Sequence, residues 1–270
     1  MTQTWINGLA ADPTLSKDRG LQFGDGIFET IAVINGVPRL LERHFFRLQD
    51  GCERLGITCP DEAELKASIN ALEINQDRAV LKLIVTAGSS SQGYARDGGA
   101  SNVIFQVNQW PAAELYHDSN YAIKATISSL QLAKQPLLAG MKHLNRLEQV
   151  LAKRSLPNEF DEAIVLDTDD NVVECISANI FMQINDQWLT PKLDKAGIAG
   201  AMRAELLAQA AEAGVSIAET PISMEQLKQA TTICITNSLI GVHAVKSIDD
   251  LTFTTPELPS WMQRAQEIAL

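Results

Sequence analysis

The strand-forming stretches of this chain arrive in hairpins, and nothing else in it constrains the fold as tightly. Ile27 to Ile34 is a strand-like run, Asn35-Gly36 a two-residue turn signal, and Val37 to Leu41 the returning run. Trp5-Ile6 leads into Asn7-Gly8, a second signal of the same kind. Ala163 to Leu166 and Val172 to Cys175 flank the turn Asp167 to Asn171, and Ala178 to Ile184 runs into the turn Asp186-Gln187. Further strands are expected at Ala79 to Ala87, Val103 to Val107, Tyr121 to Ser128, Thr231 to Ile235 and Val242 to Ile248. Helices fall between these groups rather than one after each strand. Leu41, Phe45, Leu48, Cys52 and Leu55 share one face of a helix that Gly56 would end. Pro60 to Leu72, an alanine-rich run from Ala201 to Ala213, a short helix opened by the capping box Ser223 to Gln226, and Trp261 to Leu270 are the others. This order favours an α+β fold of two lobes over a doubly wound parallel sheet. Pro111 to Asn120 reads as a connection, so the expected division is a smaller lobe over 1–110, a linker over 111–120 and a second lobe over 121–270.

A chain of 270 residues with 46% hydrophobic content can bury a real core in each lobe. Its net charge of −11 argues against a general binder of nucleic acid or of anionic membranes. A local site can still be positive. The four cysteines are scattered, without a Cys-x-x-Cys pair, as expected of small buried hydrophobes in a reducing compartment. No basic region followed by an apolar run opens the chain, and no stretch has the length of a membrane span. A soluble cytoplasmic protein is the expectation. Dinucleotide-binding, P-loop, zinc-protease and nucleophile-elbow patterns are absent, and the four histidines show no ligand spacing.

The stretch Gly140 to Leu151 holds the most suggestive chemistry. Asn145 is a good N-cap, Glu148 could close a variant capping box, and Leu147, Val150 and Leu151 form a helical apolar stripe. Lys142 then falls on a tight connection before a helix, behind the extended-looking run Gln135 to Gly140. The positive end of the helix dipole would disfavour its charged form, and a neutral amine is what carbonyl chemistry needs. Taken alone, the position suits a solvated surface lysine better, since most lysines lie on the surface. Elsewhere, Gly197 to Gly200 precedes a helix whose first N–H groups, at Ala201 and Met202, could cradle an anion. Gly88 to Ser101 is a long Gly/Ser-rich loop with Tyr94 and Arg96, of the kind that often binds ligands. Arg47 lies off the apolar stripe of its helix, and Glu174 stands at the end of a mostly apolar strand.

Several of these runs occur together in one family. Phe23 to Thr30, His44 to Leu48, Lys142 to Gln149, Asp161-Glu162-Ala163, Val173 to Phe181, Gly200 to Arg203 and Thr236-Asn237-Ser238 resemble, nearly end to end, the class IV, fold-type IV enzymes that use pyridoxal phosphate. The resemblance implies two lobes, a smaller α/β one and a larger barrel-like one that binds the cofactor, in a homodimer. It implies that Lys142 holds the cofactor covalently and moves protons, and that Glu174 faces the pyridine nitrogen. It also implies that Arg47, Ser238 and the backbone of Ala201 and Met202 hold the phosphate. Many relatives carry threonine where Met202 stands, so one hydroxyl donor is missing here.

Within the family, Lys142 to Gln149 looks most like bacterial aminodeoxychorismate lyases. Those enzymes split 4-amino-4-deoxychorismate, the product of aminodeoxychorismate synthase, into 4-aminobenzoate and pyruvate for folate biosynthesis. Thr30 stands where such lyases carry threonine and branched-chain transaminases glycine, so its hydroxyl could help protonate the leaving group. It is equally a good β-branched strand residue. The loop reads Gln92-Gly93-Tyr94 where Arg-Gly-Tyr is usual. Tyr94, Arg96 and Arg146 are therefore the candidates for holding substrate carboxylates. A branched-chain or D-amino-acid aminotransferase is the rival reading, and a cofactor carrier or scaffold without catalysis is the other.

Overall fold

A full-length antiparallel pairing organises the smaller lobe of the computed structural model, which describes residues 4–6, 9–11, 16–89, 93–96, 98–253 and 257–269. Strands β1 (Thr4–Ile6) and β2 (Leu9–Ala11) pair ahead of it, their Asn7-Gly8 turn lying outside the described residues. After a short helix α1 (Arg19–Phe23) come β3 (Gly26–Ile34), β4 (Val37–Pro38), β5 (Arg78–Thr86) and β6 (Asn102–Gln109). Among the described residues they form a sheet in the order β4-β3-β5-β6. β3 pairs with β5 from Gly26 opposite Thr86 to Ile34 opposite Arg78. Asn35 (φ 51°) and Gly36 (φ 74°) make the expected hairpin turn. The returning strand is shorter than its sequence suggests, because the chain turns at Leu40 (φ 52°) into α2 (Leu41–Leu55).

Helices α2 and α3 (Glu62–Ala71) cover one face of this sheet. Phe45, Leu48 and Cys52 of α2 and Leu65 and Ile69 of α3 meet Ile27, Ile31, Leu81 and Leu83 there. Gly56 ends α2 in the left-handed conformation at φ 64°.

The larger lobe starts at β7 (Ile123–Leu132), after a 3-10 turn at Glu114–Tyr116 whose Leu115 and Tyr116 pack on its core. Helix α4 (Leu147–Ser155) precedes β8 (Glu162–Asp167), β9 (Asn171–Cys175), β10 (Asn179–Ile184) and β11 (Gln187–Pro191). Helix α5 (Ala201–Glu212), β12 (Ile217–Thr220), β13 (Ile222–Ser223) and α6 (Met224–Gln229) follow. The chain closes with β14 (Thr232–Asn237), β15 (Gly241–Ile248), β16 (Leu251–Thr252) and α7 (Ser260–Ala269). The sheet runs β12-β11-β10-β14-β15-β7-β8-β9-β13, with β16 on β15, and curls into a nearly closed barrel. Ile123, Ile164, Ile180, Met182, Ile235 and Val245 fill it. Outside, α5 and α7 pack through Met202, Leu206, Trp261 and Met262, with Trp188 edge-on to Trp261 at 5.4 Å. Ser223 and Gln226 form the reciprocal capping box that their spacing predicts.

The stretch around Lys142 departs from its sequence reading. Gln135 to Ala139 is not extended: Leu138 and Ala139 N–H both turn back to Gln135 O at 2.9 Å. Helix α4 begins at Leu147, with Arg146 as an N-cap that makes no side-chain bond. The two residues expected to cap it bond elsewhere. Asn145 Nδ2 donates to Gly24 O at 3.1 Å, and Glu148 Oε1 accepts from Ala133 N–H at 2.8 Å. The predicted stripe is helical but is not buried in a core, with Leu147 75% and Val150 57% exposed. No helix among the described residues is long and apolar enough to cross a membrane.

Candidate active site

Two lobes meet at the backbone of Lys142. Phe28 N–H donates to Lys142 O, and Leu144 N–H to Gly26 O, both at 2.9 Å, which ties the segment to β3. On its other side Gly140 N–H donates to Gly197 O and Ala199 N–H to Gly140 O, again at 2.9 Å. Lys142 is thus strung between the small sheet and the 197–200 loop of the large one. Its Nζ stands 4.5 Å from the centre of the Phe28 ring. Loss of hydration, and then the charge of Arg47, push its pKa down to about 8, against the pull of Glu29 and Glu174. The low pKa matches the sequence expectation, but its origin differs. Burial and a neighbouring cation set it, since the helix starts only at Leu147.

Glu174 enters from β9, opposite Val165 of β8. It is 4% exposed, and burial pushes its carboxyl up to about 7, while Ile198 N–H, Arg146 and Lys142 pull it back. Oε2 accepts from Ile198 N–H at 2.8 Å, whereas Oε1 is buried with no partner among the described residues. The close approach of loop and strand requires glycine at position 197. A Cβ there would stand 2.6 Å from Val173 Cγ1, and the φ of +84° is strained for any other residue.

The loop ends in an open helix start. Asn179 holds it from both sides, accepting from Gly200 N–H at 3.0 Å and donating to Ile198 O at 2.8 Å. A Cβ on Gly200 would lie 2.1 Å from Asn179 Oδ1, so this grip also requires glycine. No side chain caps the first turn of α5. Its N–H groups, those of Ala201 and Met202 among them, are left for an anion. The Met202 side chain is buried in the core of that helix, so only its backbone can serve.

Arg47 reaches the same place from α2. Its Nε donates to Glu29 Oε1 at 2.8 Å, its Nη2 to Glu29 Oε2, and its Nη1 to Ala199 O at 3.0 Å. His44 Nδ1 donates to Glu29 Oε2 at 2.6 Å. Glu29 is 1% exposed and His44 fully buried. Burial alone would raise the Glu29 carboxyl, but Arg47 and His44 outweigh it and hold it at about 2. Its stabilising effect is therefore complete above the ordinary value of 4.5 and is lost as pH falls through about 2. Glu29→Gln keeps the shape but removes the charge facing Arg47. We expect a loss of about 2 kcal/mol, the scale of a hydrogen bond to a charged group. Thermal melting at pH 7 checks this, and an unchanged midpoint would contradict it.

These groups surround a cavity of about 400 Å³. Lys142, Thr30, Arg47, Glu174, Ala201 and Ser238 line it together, as does Arg146, whose Nη2 meets His143 Nε2. Tyr94 and Arg96 do not line it. Tyr94 is 88% exposed with its ring 5.3 Å from Phe23, while Arg96 pairs with Asp25 and donates to Leu55 and Gly56 carbonyls. Gln92 lies outside the described residues. Sequence reasoning assigned no role to Glu29, His44, Asn179 or Lys153. The signal for Glu29 was available: an acid in the apolar run Ile27 to Ile34 needs a buried partner. Four cations (Arg47, Lys142, Arg146, Lys153) line the cavity against one acid, Glu174, in a chain of net charge −11. No group of residues suited to a metal ion occurs among the described residues.

Residues 26–248 match the family model described as amino-transferase class IV. The chain is 31% identical over 246 residues to an aminodeoxychorismate lyase of Vibrio harveyi, covering 90% of each. It is 28% identical over 239 residues to a D-alanine aminotransferase of Bacillus licheniformis, covering 87% of this chain and 83% of that one. The crystal structure of 4-amino-4-deoxychorismate lyase from Pseudomonas aeruginosa superposes with a TM-score of 0.86 at 38% identity, over 97% of this chain and 96% of that one.

Proposed function

This chain belongs to the class IV aminotransferase family, and we propose that within it the protein is a lyase that converts 4-amino-4-deoxychorismate to 4-aminobenzoate and pyruvate. The charge of the cavity carries this reading. With Lys142 taken up in holding the cofactor, the remaining three cations against one acid suit a ligand with a phosphate at one end and two carboxylates at the other. A branched-chain amino acid or D-alanine brings a single carboxylate; the 2-oxoglutarate of a transaminase brings two, so the choice rests on the lyase relatives together with the charge. Similarity to lyases of Vibrio harveyi and Pseudomonas aeruginosa supports the same choice.

The family is pyridoxal-phosphate dependent, and the residues present fit that cofactor. The unpartnered Glu174 Oε1 needs a donor, which a protonated pyridine nitrogen is. The uncapped start of α5, with Arg47 and Ser238 beside it, suits a phosphate. Bound there, the cofactor supplies a sink for the electrons left when a proton is removed beside the amine. Lys142 would hold the cofactor covalently. The Lys142 amine, whose pKa burial lowers to about 8 in the cofactor-free protein, would take the proton from the substrate ring carbon that bears the nitrogen. Glu174 would face the ring nitrogen and favour its charged form. The Thr30 hydroxyl, on the cavity wall, donates toward the departing enolpyruvyl oxygen. Loss of that group leaves an aromatic ring, which drives the reaction, and the enol becomes pyruvate on protonation. Exposed apolar Phe46, Leu137 and Leu147 are compatible with a partner surface, and the family resemblance implies that the working form is a homodimer. In this reading it is cytoplasmic and takes its substrate from aminodeoxychorismate synthase.

Purified protein should be mixed with 4-amino-4-deoxychorismate and, separately, with D- and L-amino acids plus 2-oxoglutarate. Release of 4-aminobenzoate and pyruvate is the expected result. Glutamate formation without it would make the protein a transaminase, and silence in both would leave a carrier. Thr30→Val tests the proton donor, because it keeps the β-branched shape. Pyruvate release in a lactate dehydrogenase coupled assay should fall at least roughly tenfold, the low end of general-acid effects. Melting and cofactor titration should stay as in the parent. Release at the parent rate would make Thr30 a strand residue only.

A further inference from the structure

We propose that Lys153 determines substrate specificity by binding the carboxylate farthest from the reacting amine, so that the site selects a dicarboxylate over a simple amino acid. For the reaction this rests on the lyase reading; for binding it stands on the geometry alone. Helix α4 turns one face to the cavity, since Arg146 at its cap and then Gln149, Val150 and Lys153 all line it. Their spacing is that of a single helix face. Seven residues at a rise of 1.5 Å carry Lys153 about 10 Å along the axis from Arg146. The site therefore has one cation beside the amine chemistry and another two turns outward.

The inner cations are already engaged. Arg47 grips Glu29 and Ala199 O, Arg146 lies on His143, and Lys142 stands over Phe28. The Lys153 ammonium has no hydrogen-bonded or ion-paired partner among the described residues; the backbone carbonyl of that residue accepts from Leu156 N–H at 3.3 Å. The acid whose field it shares, Glu162, is buried, and its oxygens accept from Ala163 N–H, Ser177 N–H and Ser177 Oγ. Lys153 is itself exposed at the rim, so its ammonium loses little hydration on pairing, and its flexible stem gives it reach. A simple amino acid carries its carboxylate next to the amine and offers nothing to a cation two turns away. The ring of 4-amino-4-deoxychorismate carries one carboxylate across from the amine.

The test uses the cofactor-loaded protein, its K153M and K153R variants, and two readouts. One is the steady-state kinetics of pyruvate release. The other is calorimetric binding of chorismate, which has both carboxylates but no amine and so cannot react. K153M should raise KM roughly tenfold with kcat nearly unchanged and weaken chorismate binding by a similar factor, as for one lost hydrogen bond to a charged group. K153R should restore both, and added salt should shrink the difference. Chorismate binding to K153M as tight as to the parent overturns the proposal, as does a loss confined to kcat. If the parent releases no pyruvate yet binds chorismate through Lys153, the lyase reading fails and the dicarboxylate site stands. If the parent releases pyruvate and K153M matches it, only the role of Lys153 fails. If the parent binds no chorismate, the site is not one for dicarboxylates.

Discussion

Lys142→Ala should reduce pyruvate release at least roughly a thousandfold, because it removes both the covalent anchor and the proton carrier. Borohydride reduction of the loaded parent followed by peptide mapping should place the pyridoxyl group on Lys142. A label on Lys124, Lys134 or Lys153 would overturn the assignment. A second readout needs no cofactor. With its pKa held at about 8 by burial and by Arg47, Lys142 should react with an amine reagent at a lower pH than the other lysines do. The rate of labelling at Lys142 should climb as pH rises through about 8, and a profile like that of ordinary lysines would contradict the burial argument.

The second large effect is expected at Glu174. Glu174→Ala should slow turnover at least about a hundredfold, the scale of losing one preorganised electrostatic partner. Cofactor retention should change far less, because Arg47, Ser238 and the start of α5 still hold the phosphate end. The reason is the division of labour in the site. The buried Oε1 has no partner in the protein, so its value lies in what it offers a cationic nitrogen. Stopped turnover with the cofactor still bound, seen in parallel rate and cofactor titrations, is the expected pattern. Near-parent turnover would refute the role.

How far this site could be read in advance depended on how local each signal was. Helix α2 runs from Leu41 to Leu55 as its apolar face and Gly56 predict, and the capping box at Ser223 and Gln226 forms as written. Both are settled within a few residues of chain. The start of α4 was misread although its signals were as clear. Asn145 and Glu148 have the right chemistry for capping, but Gly24 O and Ala133 N–H, distant in sequence, compete for them. A short-range pattern cannot reveal such a competitor.

The same division holds for the chemistry. Sequence by itself determined most of the element types, the two-lobed class and, through runs matching a family, that Lys142, Glu174, Arg47 and Ser238 should belong to one site; it did not show the helix Arg19–Phe23 or the strands Gln187–Pro191 and Ile217–Thr220. Tertiary structure alone decided what those residues experience. It put Lys142 over Phe28 and between two lobes, left one oxygen of Glu174 unpartnered, and locked Arg47 onto a buried Glu29 that His44 also holds. It also brought Lys153 to the cavity and kept Tyr94 and Arg96 off its walls. The physical reason is that propensity and periodicity act over one or two turns of chain. Hydration, charge and hydrogen-bond competition act through space, and they exist only once distant segments have been packed together.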